Sequence, residues 1–160
     1  MITFQPITDD TIYIAQEIQN SNPNYNRMEN GDPTRSIEEL KAEFLNDQTE
    51  SLFIKLEDTY IGVVDYLNHN PKDGYPWIGL FMIHNDYQGY SFGYQAYIAL
   101  ENRLIKRGVE AIRLGVLVDN KKAHSFWESV GFTYIKESVT NEKNQVYVYE
   151  KLLNEVTHFQ

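Results

Sequence analysis

Apolar residues in the second half of the chain recur with the spacings of a buried strand and of an amphipathic helix. Residues 75–83 are almost continuously apolar, which predicts a buried strand. A 3.6-residue period then predicts a helix that starts near Ser91 and stops at Gly108, with another strand over residues 111–118. The apolar positions of this helix are Gly93, Ala96, Tyr97, Leu100 and Leu104. A strand–helix–strand order of this length predicts two parallel strands joined by a crossover.

The first half of the chain carries weaker but readable signals. Ser36 and Glu39 have the spacing of a capping box, which predicts a helix that ends near Asn46. Residues 21–33 are turn formers and predict a loop. The remaining expectations are a strand over residues 2–7, a helix capped by Asp9 or Asp10 that runs to Asn20, a hairpin formed by residues 51–56 and 60–67, and a loop over residues 68–74.

Length and charge limit the kind of protein. The 160 residues suit a single domain over residues 1–160, and the formal net charge of −9 argues against nucleic acid as the main partner. The absence of cysteine excludes disulfides, thiolate catalysis and Cys-type zinc sites, and no metal is expected. The start of the chain has no leader pattern and no apolar run has the length of a membrane span. We therefore expect a cytoplasmic protein without a membrane partner, either a monomer or a homodimer.

The loop between the predicted strand and helix has the features of a phosphate site. Residues 85–93 read NDYQGYSFG and open the helix directly after the strand. Free amides and the positive end of the helix dipole favour a phosphate at such a helix start. In sheets with parallel crossovers, ligands bind beside the carboxyl ends of the strands, where this loop falls.

This loop and a later segment resemble the GNAT superfamily of acyl-CoA-dependent N-acetyltransferases. Gln88 and Gly93 match that family's Gln/Arg-x-x-Gly-x-Gly/Ala motif, whereas Ser91 stands where the family prefers glycine. Asn120 and the Gly131-Phe132 pair match its later motif. The resemblance implies an α/β fold of the α+β kind: a mixed, mostly antiparallel central sheet with a parallel βαβ unit at the cofactor cleft and helices on both faces.

The resemblance also implies acetyl-CoA as cofactor. In the family, the loop amides hold the pyrophosphate of CoA, and the strand before the loop pairs with the pantetheine arm as an added strand would. Ser91 can alternatively cap the helix, and Asn120 can be a plain N-cap. The cofactor-binding residues so implied are Phe81, Met82, Ile83, Gln88, Gly89, Tyr90, Ser91, Phe92, Gly93, Asn120, Ala123 and Phe126.

The catalytic residues remain unassigned from the sequence. Many relatives supply an acid from a tyrosine on the late helix, where this chain has Trp127, and the strand before the loop lacks a carboxylate. His84 and Tyr134 are weak candidates, and His84 suits proton transfer near neutral pH. A relay of ordered water, with strand amides holding the oxyanion, is the expected mechanism.

The expected function is transfer of an acetyl group from acetyl-CoA to a primary amine of a small molecule or peptide. Glu17, Tyr25, Glu29 and Asp32 lie in the region that usually walls the acceptor in relatives, and with the net charge they suggest a cationic amine. An ordinary acidic surface is the other reading of these residues. A non-catalytic CoA-binding sensor or a degenerate enzyme is the alternative function, and a dinucleotide-type phosphate site is weaker because the glycine spacing differs.

Overall fold

The protein forms one seven-stranded sheet in the strand order β1-β2-β3-β4-β5-β7-β6. The structure is a computed structural model and describes residues 1–153. The strands are β1 Ile2–Pro6, β2 Glu50–Leu56, β3 Thr59–Leu67, β4 Trp77–Ile83, β5 Ala111–Leu117, β6 Thr133–Val139 and β7 Gln145–Leu152. The helices are α1 Ile12–Asn20, α2 Pro23–Asn30, α3 Ile37–Phe44, α4 Phe92–Lys106 and α5 Lys121–Ser129.

All pairings in the sheet are antiparallel except the one between β4 and β5. Helices α4 and α5 cover one face, where Tyr97, Leu100 and Trp127 pack on the sheet. Helices α1 and α3 cover the other face, through Ala15, Ile18 and Leu40 among other residues. This arrangement confirms the predicted mixed, mostly antiparallel sheet with a parallel βαβ unit and helices on both faces.

The parallel strands β4 and β5 separate soon after they meet. Their paired residues are Trp77 with Arg113 and Ile78 with Leu114. The ladder between β3 and β4 shifts register at Asp65, which leaves Gly79 as an extra residue of β4. Such a bulge bends the strand and increases its twist. The bend of β4 therefore accompanies an opening in the sheet between the carboxyl halves of β4 and β5.

Most predicted elements are present. Ser36 and Glu39 form the predicted capping box at the start of α3. Strands β2 and β3 form the predicted hairpin. Helix α4 stops as predicted, because Gly108 adopts a φ of 83° that glycine reaches without steric strain.

The predicted loop over residues 21–33 is wrong for its centre, which forms α2. Pro23 occupies the first turn, where its fixed φ suits a helix, and Gly31 ends the helix with a φ of 86°. Asn26 is fully buried, and its amide donates to Gln19 O at 3.1 Å and Pro33 O at 2.9 Å. Tertiary burial of Asn26 thus stabilises a helix that residue propensities alone do not favour.

One predicted helix cap is wrong, and one strand was not predicted. Thr8, rather than Asp9 or Asp10, opens the turn before α1, in a capping box with Thr11. Strand β7 was not predicted, although it lies between β5 and β6 in the sheet. The last residues of the predicted single domain, 154–160, lie outside the described residues.

Candidate functional site

A cleft of about 1280 Å³ occupies the opening between β4 and β5. Its walls come from both faces of the sheet, since Gly93 and Phe126 belong to the side of α4 and α5, and Tyr25 and Met28 to α2. The cleft therefore passes through the sheet. Among the residues predicted to bind a cofactor, those that line it are Phe81, Met82, Ile83, Gln88, Gly89, Ser91, Gly93, Asn120, Ala123 and Phe126. Tyr90 and Phe92 are not among the lining residues.

The predicted phosphate loop presents free backbone amides at the start of α4. Within the described chain, the N–H groups from Gly89 to Tyr94 make no hydrogen bond to protein. Gly89 has a φ of 87°, and Ser91 adopts a left-handed φ of 66°. Ser91 occupies the N-cap position, but its hydroxyl makes no cap hydrogen bond and instead lies 3.2 Å from Gln95 Nε2. The left-handed backbone gives a physical reason for glycine at this position in relatives.

The side chain of Gln88 points back into the protein. Its Nε2 donates to Ile83 O at 2.8 Å and to Asn22 Oδ1 at 2.7 Å. Asn22, at the start of α2, also donates to Ile83 O at 3.2 Å. Gln88 thereby fixes the end of β4 to the α1–α2 junction and leaves the loop backbone to face the cleft.

The β4 wall of the cleft offers main-chain groups. Beyond Ile78, no described residue of β4 pairs with β5. Phe81 and Met82, which line the cleft, lie in this unpaired stretch. An extended ligand can hydrogen-bond to such an edge as an additional strand.

Helix α5 forms the opposite wall. Asn120 caps it, with its Oδ1 accepting from Ala123 N at 3.3 Å. Phe126 stacks on Phe81 with ring centroids 6.1 Å apart. A Cβ added at Gly93 would lie 3.5 Å from the Phe126 ring. The two walls therefore meet at a narrow apolar constriction below the predicted phosphate loop.

Trp127 lies in an aromatic cluster at the base of this constriction. Its ring contacts Phe81, Tyr97 and Phe132 edge-on, at centroid distances of 5.4, 5.5 and 5.2 Å. The residue is 7% exposed and borders the cleft. An indole does not release a proton as a phenol does, so Trp127 acts here as an apolar wall.

His84 is held by neighbours on both ring nitrogens. Nδ1 accepts from Asp86 N at 3.0 Å, which places the proton of the neutral ring on Nε2, 2.8 Å from Glu17 Oε2. Neither His84 nor Glu17 lines the cleft among the described residues. Tyr134 is 50% exposed, packs edge-on to Tyr147 and also lies outside the cleft lining.

Of the residues predicted to face the acceptor, Tyr25 and Glu29 line the cleft. Asp32 instead accepts from Thr34 N at 3.2 Å within a turn, away from the lining. Glu29 Oε1 forms an ion pair with Arg35 at 2.7 Å. Its Oε2 accepts weakly from the Tyr25 hydroxyl at 3.4 Å.

Two carboxyl groups behind Tyr25 were not predicted from the sequence. Burial, and then the charges of Asp65 and Glu29, raises the pKa of Glu43 to about 8. Burial also raises the pKa of Asp65, whose Oδ1 accepts from Ser51 Oγ at 2.6 Å. Burial, and then Glu29 and Glu43, raises the pKa of Tyr25. Arg35 opposes the pKa shift of Glu43, so the acidic groups outweigh it there.

Two further segments line the cleft, and nothing in the sequence predicted that they would. They are the loop after β3, with Asn70, Lys72 and Asp73, and the turn between β6 and β7, with Thr140, Asn141, Glu142 and Asn144. Both are distant in sequence from α2, so only the folded chain brings them together. Residues 1–153 include neither a group of acidic and histidine side chains arranged for a metal ion nor a helix with the length and apolar character to cross a bilayer.

Comparisons with known proteins agree with this geometry. The Acetyltransferase (GNAT) family matches residues 13–132. An acetyltransferase from Thermus thermophilus has a similar structure, with a TM-score of 0.81 and 19% identity over 95% of this chain and 97% of that one. A comparison with functionally curated sequences finds no significant match.

Two other proteins of similar structure acetylate different acceptors. The ribosomal-protein-S18-alanine N-acetyltransferase from Escherichia coli has a TM-score of 0.73 and 15% identity, over 98% of this chain and 96% of that one. Spermidine N-acetyltransferase from Vibrio cholerae, in complex with CoA and spermine, has a TM-score of 0.70 and 21% identity, over 95% of each chain. At these identities the likeness shows the fold alone.

Proposed function

The chain belongs to the GNAT acetyltransferase family, and from that membership we propose that it transfers an acetyl group from acetyl-CoA to a primary amine by direct attack in a ternary complex. Acetyl-CoA is the cosubstrate of this family. The observation that carries the proposal is the opening between β4 and β5 beneath the free amides from Gly89 to Tyr94. A thioester held in this opening is accessible from the opposite face of the sheet.

We call the part of the cleft formed by β4, the loop 85–93 and α5 the cofactor half. Its residues fit acetyl-CoA in shape and chemistry. We place the pyrophosphate on the amides between Gly89 and Gly93, where the dipole of α4 favours negative charge. The pantetheine arm lies along the unpaired edge of β4, beside Phe81 and Phe126. Lys121 and Lys122 border the same half and supply positive charge in a protein of net charge −9.

The reaction demands little from side chains. Acetyl-CoA supplies an activated acyl group, and the chain supplies orientation and hydrogen bonds. Amides of the β4 edge near Phe81 and Met82 stabilise the negative charge that develops on the carbonyl oxygen. Ordered water in the cleft takes the proton from the amine. Trp127 excludes water from the thioester side, and the thiolate departs without a protein acid because its pKa is near the ~8.5 of a cysteine.

We also propose that the acceptor is cationic. Tyr25 and Glu29 line the acceptor half, which is the part of the cleft on the α2 side. The pKa of the nearby Glu43 is raised first by burial and then by the charges of Asp65 and Glu29, so acidic groups cluster beside this half. An ammonium group is favoured in such a field and can also contact the face of the Tyr25 ring. The spermidine N-acetyltransferase with a similar fold shows that this architecture accommodates a cationic acceptor in that protein.

The second candidate is a CoA-binding sensor without turnover. It is favoured by Trp127 at the position of a tyrosine acid in many relatives, and by the absence of a carboxylate on β4. Both candidates share the cofactor half of the cleft. They differ in whether an amine causes the thioester to break.

Release of free thiol from acetyl-CoA, measured against a panel of amines, separates the two candidates. We expect amine-dependent thiol release, with the acetylated amine identified by mass spectrometry. The panel includes linear polyamines, an aminoglycoside, lysine peptides and anionic amino acids. Acetyl-CoA binding without thiol release in the whole panel would favour the sensor. A preference for anionic amines would contradict the cationic acceptor alone.

A further inference from the structure

Three segments that are distant in sequence are joined by hydrogen bonds in the acceptor half of the cleft. We define the acceptor rim as the end of α2 at Glu29, the loop 70–75 and the turn 140–144. Resting on the proposed acetyl transfer, we infer that this rim admits a small, linear amine and excludes the amino terminus of a folded protein.

The turn between β6 and β7 is bonded directly to α2. Asn144 Nδ2 donates to the main-chain Glu29 O at 2.6 Å. Glu29 and Asn144 both line the cleft, so this hydrogen bond joins two parts of its wall. An acceptor that separates α2 from the turn would have to break this contact.

A second bridge joins the same turn to the loop after β3. Lys72 Nζ donates to Asn141 Oδ1 at 3.0 Å, and both residues line the cleft. The two bridges leave the turn 140–144 in contact with a segment on either side. The rim is therefore continuous from α2 through the turn to the loop.

Each part of the rim is held in shape by its own hydrogen bonds. In the turn, Thr140 N donates to Asn144 O at 2.9 Å, and Asn144 N donates to Thr140 Oγ1 at 3.1 Å. In the loop, Asn70 N donates to Tyr75 O at 2.8 Å, and Gly74 N donates to Asn70 O at 2.7 Å. Neither segment needs the other to keep its conformation, so the bridges join two preformed pieces.

The loop is also anchored to the sheet below. Asp73 accepts from Trp77 Nε1 at 2.9 Å and from Arg113 Nη1 at 3.2 Å. The Arg113 guanidinium lies 3.6 Å from the centroid of the Tyr75 ring. Trp77 and Arg113 are the residues at which β4 and β5 pair before they separate. The rim is thus built on the closed end of the strand opening.

The rim has a direct consequence for acceptor size. An attacking nitrogen must reach the opening between β4 and β5, which lies inside the rim. A linear amine can enter end-on, because only its chain cross-section has to pass. A terminus that emerges directly from a folded domain brings its neighbouring surface against Glu29 and Asn141 before the nitrogen arrives.

An acceptor comparison tests this inference. The probes are 1,4-diaminobutane and a small folded domain whose free N-terminal alanine directly precedes its first strand. For the wild-type enzyme we expect kcat/KM for the diamine to exceed that for the domain by at least about tenfold. Asn144→Ala should raise the relative activity on the domain by about threefold or more, because the bridge to α2 is lost. Asn102→Ala, on the exposed face of α4, is the matched control and should change neither ratio.

Equal use of both probes by the wild type would overturn the inference and leave the proposed transfer intact. If no amine of any kind elicited thiol release, the proposed transfer would be refuted. Covalent joining of the rim then tests the inference in a second way, since the joining itself is measured without turnover. The chain has no cysteine, so Lys72→Cys with Asn141→Cys creates a unique thiol pair.

A short bifunctional maleimide should join these thiols rapidly and nearly completely in the free enzyme. Relative to the same double variant before joining, the joined enzyme should keep diamine acetylation within about threefold, because the bridged rim is the working state. Failure of the thiols to join would overturn the inference. Loss of diamine acetylation with acetyl-CoA binding unchanged would overturn it as well.

Discussion

Single residues of the cofactor loop act mainly through their backbone. The left-handed φ of 66° at Ser91 turns the chain into α4, and the amides on either side remain free. Glycine spacing reports backbone requirements, so the sequence could single out this loop as a candidate phosphate site. It could not show that Asn22 holds the Gln88 side chain in place, because Asn22 is remote in sequence.

Glu43 makes the stability of the protein depend on pH. Burial, and then Asp65 and Glu29, raises its pKa from 4.5 to about 8. The folded state therefore binds a proton more tightly than the unfolded state, and the stabilisation from this group is lost as pH rises between these values. We expect Glu43→Gln, which mimics the protonated group, to be increasingly more stable than the wild type as pH rises from about 5 to about 9.

Melting temperatures of the two proteins across this pH range check the expectation. Glu38→Gln provides the control, because Glu38 is exposed on the same helix. Its melting temperature should follow that of the wild type at every pH. Parallel curves for Glu43→Gln and the wild type would show that Glu43 ionises normally in the folded protein.

Whole elements were predictable where their own sequence determines them. The capping box of α3 and the glycine stop of α4 are local signals, and both elements form as predicted. Helix α2 depends on the buried Asn26, which accepts from Gln19 and donates to Gln19 and Pro33, and its sequence is rich in turn formers. The bulge at Gly79 depends on how β4 pairs with β3 around Asp65, so the opening of the sheet had no local signal.

The junction of α1 and α2 is coupled to the cofactor loop through Gln88 and Asn22. Both side chains donate to Ile83 O and Gln88 also donates to Asn22 Oδ1, so removing either one weakens the hold of the other on the end of β4. We expect Gln88→Ala and Asn22→Ala each to weaken acetyl-CoA binding and to raise KM for the amine. The double variant should lose little more than either single variant, a coupling of about 0.5–3 kcal/mol.

A double-mutant cycle on the acetyl-CoA dissociation constant and on the amine KM measures this coupling. Asn102→Ala is the control, because Asn102 is exposed on α4 and is not among the described residues that line the cleft. Strictly additive effects in the cycle would show that the two side chains act separately.

At the scale of the whole molecule, the cleft joins two halves of different origin. The cofactor half comes from β4, the loop and α5, which lie within residues 77–129 and carry contiguous motifs. The acceptor half comes from α2, the loop 70–75 and the turn 140–144, which only the closed sheet assembles. The sequence therefore predicted the cofactor half in detail and the acceptor half only as an acidic region.

The central claim is that this cleft holds acetyl-CoA with its pyrophosphate on the start of α4. Gly93 is the position where a charge tests it, because a Cβ there meets Phe126 and Ile83 at ordinary contact distances and the residue lines the cleft. An aspartate near a helix N-terminus stabilises the helix by about 0.3–1 kcal/mol, so Gly93→Asp should fold. Gly93→Asn has nearly the same size without the charge.

The most direct measurement is the change in melting temperature caused by acetyl-CoA in these three proteins. At a hundredfold excess over the dissociation constant, a ligand of the folded state stabilises it by about 2.7 kcal/mol, which corresponds to about 5–10 °C for a domain of this size. We predict that shift in the wild type, a smaller shift in Gly93→Asn, and none in Gly93→Asp, with the apo melting temperature of each variant close to that of the wild type. A full shift in Gly93→Asp would contradict the placement of the pyrophosphate and, with it, the assignment of the cleft.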